Sequence, residues 1–310
     1  MIDGRAPAID TLFRFPSEEE DSATIAARKL TRDSASHGYT KHPAGYLFDE
    51  KKGVQGQTAT ADEMVAMMDR FNVRIAQIDV NPLDPDPVLA ILERYPTRFF
   101  GEIRIDSNAG MVAVRQIDEL VRAHRNIRSV MLYPCLCNPQ VPIDDKKHYP
   151  IYAKCSELGI PVNVLVGVPG PRVPYKCQHP GLLDEVAWFF PDLKIVMRHG
   201  GDPWTDLCVK LLLKWPNLYY STSAWAPKHY PKNIMEFAEK RGRDKVLFAG
   251  YFPWITYERT FSELDEHIHL SDEVYRRFLF QNAVDVYGLH DLVEGDADRG
   301  ASATGGRSGV

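Results

Sequence analysis

The chain has 310 residues, and its 37 basic and 42 acidic side chains give a formal net charge of −5. Hydrophobic residues make up 44% and charged residues 25% of the chain, which is typical of a folded globular protein with a large core. The mild acidity argues against a chain-wide surface for nucleic acid or for an anionic membrane.

The sequence carries no sign of export. Its first residues are neither basic nor followed by an apolar run of signal-peptide length. No uninterrupted apolar stretch approaches the ~20 residues of a membrane helix, and the five cysteines do not make a disulfide framework in a chain this long. We therefore expect a cytoplasmic protein, with no membrane and no nucleic acid among its partners.

Short β-rich runs alternate along the chain with amphipathic helical patterns. Several runs are almost continuously apolar, as expected for parallel strands that are buried on both faces. Eight strands are predicted, at Ala8–Phe13, Arg74–Val80, Phe99–Ile105, Ile127–Tyr133, Pro161–Gly167, Leu193–Arg198, Leu218–Thr222 and Lys245–Gly250. Apolar residues at three- and four-residue spacing predict helices at Glu63–Phe71, Val88–Tyr95, Val112–His124, Ile151–Leu158, Leu182–Phe190, Leu207–Trp215, Ile234–Lys240 and Thr260–His267.

Eight βα units in a chain of this length predict a closed (β/α)8 TIM barrel. An open doubly wound sheet is the competing fold, but it would usually carry a Gly-rich phosphate turn after its first strand, and none is present. A last helical pattern, Asp272–Tyr287, has Ser271 as its expected N-cap and ends before Gly288. We therefore predict one domain over residues 1–292 and a flexible tail over 293–310.

A long insertion separates the first strand from its helix. It covers residues 15–61, far more than a βα connection needs. Because it leaves the carboxyl end of a barrel strand, we expect it to cover or border the active site. A peripheral excursion or a contact between copies of the chain is the alternative.

The residues that follow the strands are the candidates for chemistry, since reactive groups of a (β/α)8 barrel lie at the carboxyl ends of its strands. His199 follows the sixth strand and precedes Gly200 and Gly201, which leave open space beside it. An imidazole in this position can act as a general acid or base near neutral pH. The alternative is a histidine that only hydrogen-bonds a neighbouring loop.

Several motifs resemble the amidohydrolase-related family, the branch of the amidohydrolase superfamily that includes 2-amino-3-carboxymuconate-semialdehyde decarboxylase and several hydroxybenzoate decarboxylases. The motifs are Leu193–Gly201, Trp215–Tyr219, Lys245–Pro253 and Asn282–Ala283, in the family's order and spacing. The likeness extends from about Ala8 to Leu289 and implies the same barrel. It also implies an enzyme that hydrolyses, decarboxylates or cleaves carbon–carbon bonds.

The family's metal ligands are absent. Members usually carry a His-x-His pair after the first strand, a third histidine on the fifth strand and an aspartate on the eighth. The matching residues here are Leu12, Arg14, Leu165 and Tyr251, while His199 matches the family's acid/base histidine. Leucine cannot coordinate a cation and arginine would repel one, so we expect a metal-independent protein with no cofactor. A relocated metal site is the minority alternative, built from His37, His42, His179, Cys135 and Cys137.

Two of the replacement residues suggest how the site works without a metal. Arg14 offers a fixed charge and a bidentate fork suited to a carboxylate, so it is a candidate anion anchor and catalytic residue. Its alternative role is a buried bridge to an acidic residue, for which Asp10, Asp79, Glu102 and Asp202 are the candidates. Tyr251 either donates a hydrogen bond or fills the volume that the metal would occupy.

Five further residues are candidates for binding substrate. Asn163 should point inward with Leu165, because alternate residues of a strand share a face. The other candidates are Trp204, Arg104, Tyr133 and Ser223, all close to strand ends. The parity of the strands that carry Arg104 and Tyr133 is uncertain by one residue, and a slip would turn both outward.

The favoured interpretation is a metal-independent hydrolase or carbon–carbon lyase, such as a decarboxylase, acting on a small carboxylated or cyclic carbonyl compound. The substrate is expected to be anionic, and the family resemblance implies a homo-oligomer. The competing interpretation is a catalytically inactive protein that binds a ligand. Against it, His199 keeps its Gly-Gly turn, and Arg14 and Tyr251 are polar instead of small and apolar.

Overall fold

The computed structural model describes residues 5–19, 22–40, 42–47 and 58–294. Eight parallel strands pair in sequential order, and helices connect them, which confirms the predicted (β/α)8 barrel. The strands are β1 Ala8–Asp10, β2 Val73–Val80, β3 Phe99–Ile105, β4 Ile127–Leu132, β5 Val162–Leu165, β6 Ile195–Arg198, β7 Leu218–Ser221 and β8 Val246–Leu247. The helices are α1 Ser22–Arg28, α2 Ala61–Arg70, α3 Asp86–Arg94, α4 Met111–Ala123, α5 Tyr149–Leu158, α6 Leu183–Phe189, α7 Thr205–Lys214, α8 Lys232–Glu239, α9 Tyr257–His267, α10 Asp272–Arg276 and α11 Asn282–Tyr287.

The barrel closes between β8 and β1 through residues at and just beyond the strand ends. Phe13 forms a parallel bridge with Phe252. The fully buried carboxylate of Asp10 accepts hydrogen bonds from the backbone N–H of Gly250 at 2.7 Å and from the Tyr257 hydroxyl at 2.9 Å. These contacts bring the segment that follows β1 next to the segment that follows β8.

A polar network occupies the barrel interior. The fully buried guanidinium of Arg198, on β6, lies 2.7 Å from the carboxylate of Glu102 on β3 and donates to Gln77 on β2 at 2.9 Å. Asn163 on β5 donates to the other Glu102 oxygen at 2.6 Å and accepts from the Tyr287 hydroxyl of α11 at 2.8 Å. The C-terminal helix is thereby tied to the barrel interior.

The C-terminal segment differs from the single helix predicted for Asp272–Tyr287. A π-helical turn at Arg277–Gln281 separates α10 from α11, an irregularity that apolar spacing does not reveal. Ser271 occupies the N-cap of α10 as predicted, although its side chain makes no capping hydrogen bond. Gly288 ends α11 in the left-handed conformation, with φ 63°, as a glycine at this position is predicted to do.

The insertion contributes α1, which the sequence did not predict. Ser22 at the start of α1 accepts a hydrogen bond from Arg104 of β3 at 2.5 Å, so this helix lies over the barrel strands. The predicted tail lies outside the described residues from residue 295 onward. In the described ranges, no helix combines the length and apolar character needed to cross a membrane.

Candidate active site

A cavity of about 480 Å³ lies at the carboxyl ends of the strands, and this volume suits a small ligand. The barrel contributes strand-end residues to its wall, among them Leu12, Arg14, Tyr133, Leu165, His199 and Tyr251. The insertion contributes Ala23, His42, Pro43, Ala44, Tyr46 and Leu47. The described part of the insertion therefore borders the cavity, as expected from the strand end that it leaves.

His199 is held in place by Ser223. The backbone N–H of His199 donates to the Ser223 hydroxyl at 3.0 Å, and its ring Nδ1 lies 3.0 Å from the same oxygen. The sequence predicts Ser223 as a substrate-binding residue, but its hydroxyl is used to orient His199. Because this contact uses Nδ1, the second ring nitrogen, Nε2, lies on the opposite edge of the ring and can interact with other groups.

The backbone around the cavity is strained. Among the described non-glycine residues, four have a positive φ, and three of these line the cavity: His199 at 64°, Ala224 at 73° and Tyr251 at 58°. Side chains rarely adopt this conformation, and such positions cluster at functional sites. The strain therefore marks the cavity as the candidate active site independently of any residue type.

The environment of His199 disfavours its charged form. Burial, followed by the positive charges of Arg198 and Arg14, lowers the pKa of His199 to about 3. This value lies below the range of about 6–7 that is ordinary for a histidine side chain. His199 is therefore a neutral imidazole at pH 7.

Arg14 forms the structural bridge that the sequence suggests as one of its two roles. Its guanidinium forms a salt bridge to Asp79 at 2.9 Å, donates to the Tyr133 hydroxyl at 3.3 Å and lies over the Trp254 ring, 5.2 Å from the centroid. The structural bridge is thus present, and it holds Arg14 at the cavity wall. A guanidinium carries five N–H donors, so a substrate anion is compatible with the Asp79 pair.

Tyr251 meets His199 across the cavity wall. The two rings are 5.6 Å apart between centroids and nearly perpendicular, and the Trp254 ring lies 4.9 Å from Tyr251. The Tyr251 hydroxyl is 2.9 Å from Nε2 of His42, a residue of the insertion. Tyr251 therefore does more than fill space, because its hydroxyl takes part in a polar contact beside the acid/base candidate.

The four positions at which the resemblance implies metal ligands do not fit a divalent cation. Leu12 and Leu165 present apolar side chains to the cavity, and Arg14 brings a guanidinium paired with Asp79. Tyr251 is engaged by His42. In the part of the chain that the structure describes, no three His, Cys, Asp or Glu side chains group closely enough to hold a metal ion.

Four of the five predicted substrate-binding residues do not line this cavity, and Ser223, whose hydroxyl contacts His199, is one of them. Asn163 points inward but lies deeper than Leu165, where Glu102 and Tyr287 use both ends of its amide. Trp204 packs against His179, with ring centroids 4.5 Å apart. Arg104 lines a smaller neighbouring cavity of about 220 Å³, which shares Tyr133 with the main one. Tyr133 is therefore the one member of the predicted substrate-binding set that faces the main cavity.

Several residues that line the cavity have no predicted catalytic or substrate-binding role. The sequence suggests His42 only as a ligand of a relocated metal, and it indicates no role for Gln178 or Arg259. Arg259 follows β8 on α9 and is paired with Glu263 at 2.8 Å. Position after a strand was the available signal for Arg259, whereas nothing periodic in the insertion points to His42.

Comparison with known proteins finds a matching family model and solved structures of similar fold. The amidohydrolase family model matches residues 16–289. A TIM-barrel protein of uncharacterised function from Bordetella bronchiseptica is 22% identical, with a TM-score of 0.67 over 91% of this chain and 99% of that chain. No curated protein sequence matches the chain.

Two solved decarboxylases share the fold. 5-Carboxyvanillate decarboxylase from Sphingomonas paucimobilis is 14% identical, with a TM-score of 0.64 over 92% of this chain and 99% of that chain. A dihydroxybenzoic acid decarboxylase from Polaromonas, solved with bound manganese and the inhibitor 2-nitroresorcinol, is also 14% identical. Its TM-score is 0.61 over 92% of this chain and 98% of that chain.

Proposed function

Because this chain belongs to the amidohydrolase family, we propose that it is an enzyme that decarboxylates, hydrolyses or cleaves a carbon–carbon bond in a small carboxylated or cyclic carbonyl compound. The observation that carries the proposal is the convergence of His199, Arg14 and Tyr251 on one cavity, although they follow three different strands. A decayed site would not be expected to keep an imidazole, a guanidinium and a phenol together in strained backbone.

The walls of the cavity support a flat, anionic substrate. Tyr133, Trp225 and Trp254 provide aromatic surface, and Arg14 provides the positive charge. Two relatives that share the fold are named as decarboxylases of carboxylated aromatic compounds. We propose that Arg14 receives the carboxylate of the substrate while the aromatic residues contact its faces.

His199 transfers the proton in this proposal. It is neutral in the empty site because burial and nearby cations lower its pKa to about 3. A bound carboxylate adds negative charge close to the ring, which favours the imidazolium and raises the pKa. Substrate binding thus prepares His199 to take up a proton and to deliver it to the carbon or the leaving group, while Ser223 keeps the ring oriented.

We also propose that the reaction proceeds without a metal ion. Leu12, Arg14, Leu165 and Tyr251 supply no ligand set for a divalent cation, so purified enzyme is expected to contain no stoichiometric transition metal. Prolonged treatment with a chelator is expected to leave turnover and melting temperature unchanged. Elemental analysis is the direct measurement, and one equivalent of zinc or manganese lost together with activity would overturn the proposal.

Arg14→Met is expected to weaken the binding of carboxylate ligands by about 2–4 kcal/mol, because a desolvated carboxylate loses its charged partner. Calorimetric titration with benzoate measures the loss, and benzamide is the uncharged control that should bind both proteins alike. Arg14→Lys keeps the positive charge but lacks the bidentate geometry, so its affinity for benzoate should lie between those of the wild type and Arg14→Met. A variant that folds with lower stability but keeps its affinity for benzoate would make Arg14 only the partner of Asp79.

A further inference from the structure

His42 of the insertion is buried at the cavity wall with its proton position fixed. The side chain is 5% exposed, and its Nδ1 accepts a hydrogen bond from the backbone N–H of Ala44 at 2.9 Å. A ring nitrogen that accepts a hydrogen bond carries no hydrogen. The neutral ring therefore carries its only hydrogen on Nε2, and the imidazolium form is incompatible with the Ala44 contact.

The Nε2–H of His42 is directed at Tyr251. The distance from Nε2 to the Tyr251 hydroxyl oxygen is 2.9 Å, and the tautomer set by Ala44 makes His42 the donor. The phenol oxygen is thus an acceptor in this contact, so its own hydrogen points toward a different acceptor. A hydroxyl that accepts one hydrogen bond becomes a stronger donor in the next, because hydrogen bonds in a chain polarise one another.

Tyr251 places this donor group at the wall of the cavity. The residue is 5% exposed, lines the cavity and has its ring nearly perpendicular to that of His199. Its left-handed backbone, with φ 58°, is a conformation that few side chains adopt without a compensating interaction. In a buried site, a hydrogen bond to a developing anion is worth more than the same bond in water.

We propose that His42 and Tyr251 form an oxyanion site. The Tyr251 hydroxyl donates to an oxygen of the substrate that carries or gains negative charge, as in a phenolate or an enolate. His42 is a positioning residue that acts through Tyr251 and does not touch the substrate. This proposal rests on the proposed function, to which it adds the chemical class of the second substrate group beside the carboxylate.

Two variants of His42 separate this role from a purely structural one. His42→Gln places an amide N–H near the position of Nε2 and keeps the donor to Tyr251, but it loses the acceptor for Ala44. His42→Asn keeps an acceptor near the position of Nδ1 and cannot reach Tyr251. If His42 only anchors the insertion, His42→Asn should preserve the affinity for an anionic ligand better than His42→Gln. If His42 donates to Tyr251, His42→Gln should preserve it better.

The test uses the full chain and 4-nitrophenolate, above the pKa of the probe, with nitrobenzene as the control that lacks the anionic oxygen. Wild type is expected to bind 4-nitrophenolate more tightly than nitrobenzene, and Tyr251→Phe is expected to lose at least about tenfold of 4-nitrophenolate affinity. His42→Asn should show most of this loss, whereas His42→Gln should keep an affinity for 4-nitrophenolate close to that of the wild type. Equal binding by wild type and Tyr251→Phe, or better binding by His42→Asn than by His42→Gln, would overturn the proposal.

The tautomer provides a second readout that does not depend on any variant. Long-range ¹H–¹⁵N spectra of the wild-type protein should show His42 with its hydrogen on Nε2, and an Nδ1–H tautomer or an imidazolium at neutral pH would contradict the proposal. Neither measurement needs turnover. A failure of the oxyanion site is therefore distinguishable from a failure of the proposed enzymatic activity.

Discussion

Replacing His199 by asparagine is expected to lower turnover at least about a hundredfold, because a positioned general acid or base typically contributes 10²–10⁴-fold. Asparagine suits the site for two reasons. It tolerates the left-handed backbone that His199 adopts at φ 64°, and its side chain can still hydrogen-bond Ser223. Fold and substrate affinity should therefore survive, so that kcat falls while KM changes little.

The steady-state constants and the melting temperature of both proteins, measured on the same substrate, check this expectation. Ser223→Ala is the matched control, since it removes the orienting hydroxyl but leaves the imidazole, and it should cause a smaller loss. Near-normal turnover by His199→Asn would remove His199 from the mechanism. A wild type that binds carboxylates and turns none over would favour the ligand-binding alternative to an enzyme.

The pH dependence of His199 follows from its lowered pKa. The pKa is about 3 in the folded protein, against about 6.5 in an unfolded chain, so the native state binds fewer protons between these values. The stability that His199 supports is present above about pH 6.5 and is lost as the pH falls toward 3. His199→Asn should lose less stability on acidification than wild type, and kcat/KM should show no titration of His199 in the ligand-free enzyme between about pH 5 and 8.

Arg198→Met is expected to destabilise the protein by about 3–5 kcal/mol, the usual loss when one partner of a buried ion pair is removed. The variant leaves the carboxylate of Glu102 fully buried without the guanidinium that lies 2.7 Å away. Burial raises the pKa of Glu102, and Arg198 opposes that rise. Without Arg198 the carboxyl should take up a proton more readily, so the destabilisation should be smaller at acidic pH and grow as the pH rises.

Denaturant unfolding at two pH values measures this effect. The double variant Arg198→Met with Glu102→Gln removes both charges and should recover much of the lost stability, because no uncompensated charge remains. Arg128→Met provides a comparison at a partly exposed pair with Asp291 and should change stability less. A double variant as unstable as Arg198→Met alone would show that the shape of Arg198, rather than its charge, supports the barrel.

The barrel was predictable because the sequence pattern of a strand followed by a helix is repeated eight times. Each strand is an apolar run followed by an amphipathic helix, and errors of a few residues at strand ends do not change the order β1 to β8. The same rule located His199, Arg14, Tyr133 and Tyr251, since strand ends of a parallel barrel meet at one mouth.

The alternation of residues along a strand predicts whether a side chain points inward, but it does not predict how deep that side chain lies along the barrel axis. Asn163 has the inward parity that its spacing from Leu165 implies, yet it lies in the interior network and not at the cavity. Arg198 and His199 are consecutive, and strand alternation would send them to opposite faces. The positive φ at His199 turns its side chain back to the cavity, while Arg198 points into the barrel interior. A sequence pattern does not predict such a turn.

His42 escaped prediction for a different reason. The insertion has no apolar periodicity, so no pattern places any of its residues relative to the strands. The contact with Tyr251 depends on a tertiary approach between residues 209 positions apart, and the backbone N–H of Ala44 then fixes which nitrogen carries the hydrogen. No sequence pattern encodes that combination of contacts.

The interior network has a consequence for how the barrel is assembled. Strands β1–β4 contribute the acidic member, Glu102, whereas β5–β8 and the C-terminal helix contribute the basic member, Arg198, together with Asn163 and Tyr287. Neither half of the barrel on its own contains both charges of this pair. The ion pair between Arg198 and Glu102 therefore couples the two four-stranded halves, and a fragment ending between β4 and β5 would carry Glu102 without its counter-charge.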